Sequence, residues 1–138
     1  MLIPKKVKYR KWHTHRKDMT KVSADTRGIK VSFGSFGLKA VTGGRIRSNQ
    51  IEAARKVTSR TVGKSGRMWI RIFPDRPFTQ KAANVGMGKG KGDPEGYCLY
   101  LRPGRIIFEV DGVPEATAKE ALRKAGTKLP VSTRIVAR

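Results

Sequence analysis

The apolar positions of this chain change their spacing repeatedly, and each change marks an element. In "IKVSFGSFGLKAV", Ile29, Val31 and Phe33 alternate with polar residues, as a half-buried strand requires. After Gly34 the apolar parity moves to Phe36, Leu38 and Ala40. A one-residue slip at a glycine predicts a β-bulge or a tight bend. "SNQIEAARKVTSRTVGKSG" then adopts helical spacing. Ile51, Ala54, Val57, Thr58, Thr61 and Val62 share one face, while Arg55, Lys56, Ser59 and Arg60 share the opposite one. Asn49 is the expected cap, Glu52 three residues on resembles a capping box, and Gly63 or Gly66 ends the helix.

"RMWIRIF" alternates Met68, Ile70 and Ile72 against Trp69, Arg71 and Phe73, a strand stopped by Pro74. In "YCLYLRPGRIIFEVDG", Tyr97, Leu99 and Leu101 alternate, Pro103-Gly104 turns the chain, and Ile106, Phe108 and Val110 return, which predicts a hairpin. A second helix is expected from Pro114, with Glu115 in its first turn, Ala118, Ala121, Leu122 and Ala125 as its apolar stripe and Gly126 as its end. "VSTRIV" closes the chain as a strand. The pattern predicts an α+β fold of mixed, mostly antiparallel strands with two helices over one core.

Charge changes the picture from scaffold to function. The chain of 138 residues carries 31 Lys and Arg against 10 Asp and Glu, a net +21. Such a chain repels itself unless it meets a polyanion, nucleic acid first and an anionic membrane surface second. The charge is uneven. Residues 1–17 hold no acid, and Thr26 to Gly92 hold only Glu52 and Asp75. Residues 1–27 therefore read as a basic N-terminal arm, and 28–138 as a single RNA-binding domain with a flexible loop at 82–96. The nearly balanced C-terminal part is scaffold. No apolar run follows the basic N-terminus, so neither a signal peptide nor a membrane span is expected, and the protein reads as intracellular.

Candidate chemistry is sparse. "GKS" at Gly63-Lys64-Ser65 lacks the P-loop glycine, because Thr58 stands in its place, and it follows a helix instead of opening one. Lys91 breaks the G-x-G-x-x-G frame that begins at Gly86. His13 and His15 have no ligand cluster or orienting carboxylate nearby, and Cys98 stands alone, so no catalytic residue, metal or cofactor is expected. A nuclease or modifying enzyme needs acids, histidines or metal ligands that the middle of the chain lacks. Three features suit nucleic acid, each with a plainer reading beside it. The Arg55–Arg60 face contacts RNA or is solvated surface. Tyr9 and Trp12, among the arm's lysines and arginines, stack on bases or pack the arm onto the domain. The run "VGMGKGKGDPEG" is a finger reaching into a crowded RNA site or an exposed connector. A free nucleic-acid chaperone shares the charge and the arm but has no need of that glycine-lysine finger.

Several runs in order, "SFGSFGLKA" at 32–40, "QIEAAR" at 50–55, "WIRIFPD" at 69–75, "MGKGKG" at 87–92 and "FEVDGVPE" at 108–115, resemble bacterial-type large-subunit ribosomal protein sixteen, of the family shared with the archaeal and eukaryotic ten-e proteins. The likeness covers nearly the whole chain. It implies an α/β-hammerhead fold and binding to large-subunit rRNA near the aminoacyl-tRNA site and the peptidyl-transferase region. It also implies a part in late subunit assembly and in tRNA positioning. The implied partners are large-subunit rRNA, tRNA at the aminoacyl site and neighbouring large-subunit proteins, with no membrane and no homo-oligomer. The implied location is the ribosome of a bacterial cytoplasm or of an organelle, with no transit peptide evident. On this reading the rRNA contacts are Lys5, Lys6, Lys8, Arg10, Lys11, Trp12, His13, Arg16, Lys17, Arg45, Arg47, Arg55, Lys56 and Arg60. The loop facing tRNA comprises Lys81, Gly86, Met87, Gly88, Lys89, Gly90 and Lys91. Some family members carry an arginine, hydroxylated in certain cases, where this chain has Gly86, so that modification is not expected here.

Overall fold

The computed structural model describes residues 1–14 and 18–138; the expected contacts of Arg16 and Lys17 lie outside the described residues, as does His15. The body is α+β. Strands β1 (Phe36–Ala40), β3 (Arg67–Ile70), β6 (Ile106–Asp111) and β7 (Thr133–Ala137) form one sheet in the order β3-β6-β1-β7. Strands β2 (Gly44–Arg47), β4 (Arg76–Gln80) and β5 (Asp93–Leu101) form a second, in the order β2-β5-β4. All these pairings are antiparallel. Helices α1 (Ser48–Val62) and α2 (Glu115–Gly126) pack together over the core. That core joins Leu38, Phe108 and Val110 of the larger sheet, Ile46 and Leu101 of the smaller one, and the apolar faces of both helices.

Both helices bury the expected side chains. Ile51, Ala54, Thr58 and Val62 are buried on α1, and Ala118, Ala121, Leu122 and Ala125 on α2. The start of α1 differs from expectation. Its N-cap is Arg47, whose backbone N–H donates to the Gln50 side chain at 2.9 Å, so Asn49 lies within the first turn. Glu52 does not return to the cap; it takes the Arg55 guanidinium instead. Gly63 ends the helix at φ 72°, a positive φ that glycine adopts without a Cβ penalty.

Two strand expectations are overturned. β5 and β6 flank the Pro103-Gly104 turn, yet they belong to different sheets and do not pair. The turn's hydrogen bonds go elsewhere: the Gly104 N–H donates to Ala40 O, the Ile106 N–H to Gly28 O, and Pro103 O accepts from the Asp25 N–H. The turn therefore carries the chain from one sheet to the other. Residues 29–35 form no strand either. The Ser32, Phe33 and Gly34 amides donate to the Glu109 carboxylate in place of a neighbouring strand. The segment bends over the outer face of the larger sheet, and a Cβ on Gly37 would come within 2.7 Å of the Val31 side chain. This cover explains why β6 is buried along most of its length, Glu109 included. The strand predicted from "RMWIRIF" ends at Ile70, although the Arg71 N–H still donates to Ile107 O.

Candidate nucleic-acid interface

The smaller sheet has two unlike faces. Strand alternation turns Ile46, Leu99 and Leu101 toward the core and places Arg45, Arg47, Cys98, Tyr100, Arg76 and Phe78 on the other side. Register makes neighbours of these outer residues: Arg45 stands opposite Tyr100, Arg47 and Arg76 flank Cys98 from either side, and Phe78 faces Gly96. The guanidiniums lie over rings. Arg47 is 4.8 Å and Arg45 5.7 Å from the Phe78 centroid, and Arg76 is 4.3 Å from that of Tyr100. Each such contact contributes about 0.5–1 kcal/mol where exposed and fixes the orientation of the planar cation. Three arginines lying over aromatic rings give a surface with charge for phosphates and π-faces for bases.

Cys98 sits beneath this surface, 1% exposed. Burial pushes its thiol up, against the opposing pull of Arg45, Arg76 and Arg47. It stays a neutral packing group and not a nucleophile.

The arm joins this face to its surroundings. Its first amine lies 4.0 Å from Glu52 on α1, and Leu2 packs against the core. Ile3 lines a cleft with Arg47 and Phe78, and Arg10 another with Pro94 to Tyr97. At Trp12 and His13 the arm meets Arg76, which lies 5.8 Å from the Trp12 centroid and donates to His13 O at 3.1 Å. Lys5, Lys6, Lys8 and Arg10 are exposed along the way, with Lys8 over the Tyr9 ring. The packing role of Trp12 is thus realised, and it adds Arg76 to the arm.

The glycine-lysine loop is shorter than expected. Strand β5 begins at Asp93, and the rung Gln80–Asp93 closes the loop over residues 81–92. Gly86 to Lys91 are exposed, Met87 at 97%. Gly88, Lys89 and Gly90 all have positive φ, at 99°, 56° and 94°, a curl that glycine permits and that Lys89 adopts between them. The lysines are not equivalent. Lys81 turns inward and donates to Gly88 O, with Gly86 O at 3.5 Å. Lys91 donates to Trp12 O, while Lys11 reaches Lys91 O at 3.5 Å and Asp93 at 3.9 Å. Lys89 has no hydrogen-bond partner among the described residues.

On α1, Lys56 and Arg60 are exposed, but Arg55 is engaged. It makes two hydrogen bonds to Glu52, at 2.6 and 2.9 Å, and this pairing holds the Glu52 carboxyl at about 2. Among the described residues no group of three or more His, Cys, Asp and Glu is placed to hold a metal ion, and no helix is long and apolar enough to cross a membrane.

Residues 4–136 match the family described as "Ribosomal protein L16p/L10e". The chain belongs to the L16p/L10e family of ribosomal proteins. Two similar relatives carry the name large ribosomal subunit protein uL16. That of Albidiferax ferrireducens is 51% identical over 138 residues, covering 100% of this chain and 97% of the relative. That of Rickettsia bellii is 52% identical over 136 residues, covering 99% and 97%. L16p/L10e proteins are structural and not enzymatic components of the ribosome. In this L16p/L10e member the face brings Arg45 and Arg47, expected from the sequence as RNA contacts, together with Arg76, Phe78 and Tyr100, for which the sequence raises no such expectation. Their signal was present in the alternation of "RPFTQ" and "YCLYL", which puts Tyr100 on the parity opposite Leu99 and Leu101.

Proposed function

We propose that this chain is a structural constituent of the large ribosomal subunit, located with the ribosome in the bacterial cytoplasm. It grips large-subunit rRNA through the outer face of the β2-β5-β4 sheet, the N-terminal arm and the exposed cations of α1. Gly86 to Lys91 extend toward tRNA at the aminoacyl site and the peptidyl-transferase region, and the grip helps order that region late in assembly. The observation that carries the reading is the row of Arg45, Arg47 and Arg76 over Phe78 and Tyr100. Family membership and the printed names of the relatives support the ribosomal setting. The arm-to-loop contacts support joint action, because Lys91 and Trp12 hold the two segments together.

Crosslinking the protein to RNA in cells and sequencing the attached RNA tests this. The expected result is large-subunit RNA around the aminoacyl-tRNA site, with some tRNA at Lys89. Crosslinks scattered over messenger RNA overturn it in favour of a free nucleic-acid chaperone.

A further inference from the structure

On the larger sheet a buried carboxylate holds an exposed ring in place. Glu109 is 0% exposed. Its Oε2 accepts from the Phe33 amide at 2.6 Å and the Gly34 amide at 2.8 Å, and its Oε1 accepts from the Ser32 amide at 3.1 Å and from Arg71. Arg71 also donates to Lys30 O at 3.3 Å, so it grips the same bend from both sides. Phe33, at the centre of this grip, is 55% exposed. Its ring lies 6.3 Å from that of Trp69, nearly parallel at 21°, and the Arg71 guanidinium is 4.9 Å from its centroid.

Burying a carboxylate is costly unless it is fully hydrogen-bonded, and here its partners are the Phe33 amide, the amides on either side of it at Ser32 and Gly34, and Arg71. A core needs no such device to leave a phenylalanine outside. A stacking ligand does, because a preorganised ring loses little freedom on binding. We propose that Phe33, Trp69 and Arg71 form a second stacking platform, which takes an unpaired base of the bound RNA. This rests on the RNA-binding reading above and extends it to residues whose alternation in the sequence predicts only ordinary strands. The surroundings favour RNA over an apolar protein segment. Arg67 and Lys30, two residues before Trp69 and three before Phe33 along the chain, are exposed, and a protein partner covering this surface would have to desolvate them. A nucleotide meets them with its phosphates.

The test places p-azidophenylalanine at position 33, and separately at position 100, in cells, then maps crosslinks in purified large subunits. A crosslink from position 33 to one or a few rRNA nucleotides is expected. Crosslinks from 33 only to a neighbouring protein, or none in subunits that contain the variant, overturn the platform. In that case RNA crosslinks from position 100 leave the general reading standing, and their absence removes it too. A second measurement does not depend on the larger side chain. In subunits carrying Phe33→Leu, chemical reactivity at the stacked nucleotide rises roughly ten-fold, and Phe33→Trp restores it. Unchanged reactivity, or a rise spread over the whole RNA, overturns the proposal.

Discussion

Arg76 and Tyr100 come from neighbouring strands and meet with the guanidinium 4.3 Å from the ring centroid. The same guanidinium donates to His13 O at 3.1 Å. The arm is therefore held to the sheet by the group that, in the proposed function, offers charge to RNA. Arg76→Ala should leave the body's unfolding midpoint nearly unchanged while backbone amides at 9–14 exchange faster with deuterium. It should also lower the log–log salt slope of RNA binding by about 0.7–0.9, as for one lost phosphate contact. Arg76→Lys should keep most of that slope but still loosen the arm, because lysine lacks the planar stack.

Cations on the small sheet and on α1 differ in how free they are. Arg45→Gln and Arg47→Gln should each reduce the salt slope by about 0.7–0.9. Arg55→Gln should reduce it less than Arg60→Gln, because Glu52 already engages Arg55. Filter binding across a salt series reads all four. Equal slopes for the Arg55 and Arg60 variants would show that RNA displaces Glu52.

Much of this arrangement was legible in the sequence, and the misses share a cause. The stripe Ala118, Ala121, Leu122 and Ala125 is buried as its spacing requires, because helix periodicity is local. Both strands around Pro103-Gly104 exist, but turn chemistry does not say with whom they pair. The amides at 32–34 reach a carboxylate far along the chain, which alternation at 29–33 cannot reveal. The interface divides in the same way. Arg45 and Arg47 stood out by charge, whereas Arg76 and Tyr100 gain their meaning only from cross-strand register.

Glu109 should make stability acid-sensitive. Burial pushes its carboxyl up, but the Gly34, Ser32 and Phe33 amides and Arg71 outweigh that and hold it below the ordinary 4.5. A lowered carboxyl stabilises fully above its unfolded value, and the benefit is lost as pH falls through the folded one. Denaturant unfolding should thus show the Glu109 contribution constant above about pH 4.5 and declining below it. Glu109→Ala, which leaves Arg71 and three amides without their acceptor, should cost about 3–5 kcal/mol at neutral pH. The difference from the parent protein should narrow in acid.

Gly34 is a steric requirement. A Cβ there would lie 2.7 Å from Val110 O and 3.0 Å from its carbonyl carbon. Both are backbone atoms of a central strand with little room to yield. Gly34→Ala should destabilise by about 1–3 kcal/mol in thermal or denaturant unfolding. Gly86→Ala, with open space around it, should be nearly silent in the same assay.

The loop lysines should separate two roles. Lys89→Ala should impair tRNA-dependent steps in a translation assay with the arm undisturbed. Lys91→Ala should do so and also speed amide exchange at 9–14, since it loses the bond to Trp12 O. Loss of subunit incorporation before any tRNA defect, in either variant, would place the loop's work in assembly.

The rung between Gln80 and Asp93 gives the finger a fixed knuckle. Whatever happens beyond it leaves strand register, and so the arginine face, untouched. Doubling such a loop costs only about 0.6 kcal/mol in closure entropy. Reach is thereby separated from grip: residues 81–92 can be lengthened, shortened or rewritten while the body keeps the register of its arginine face.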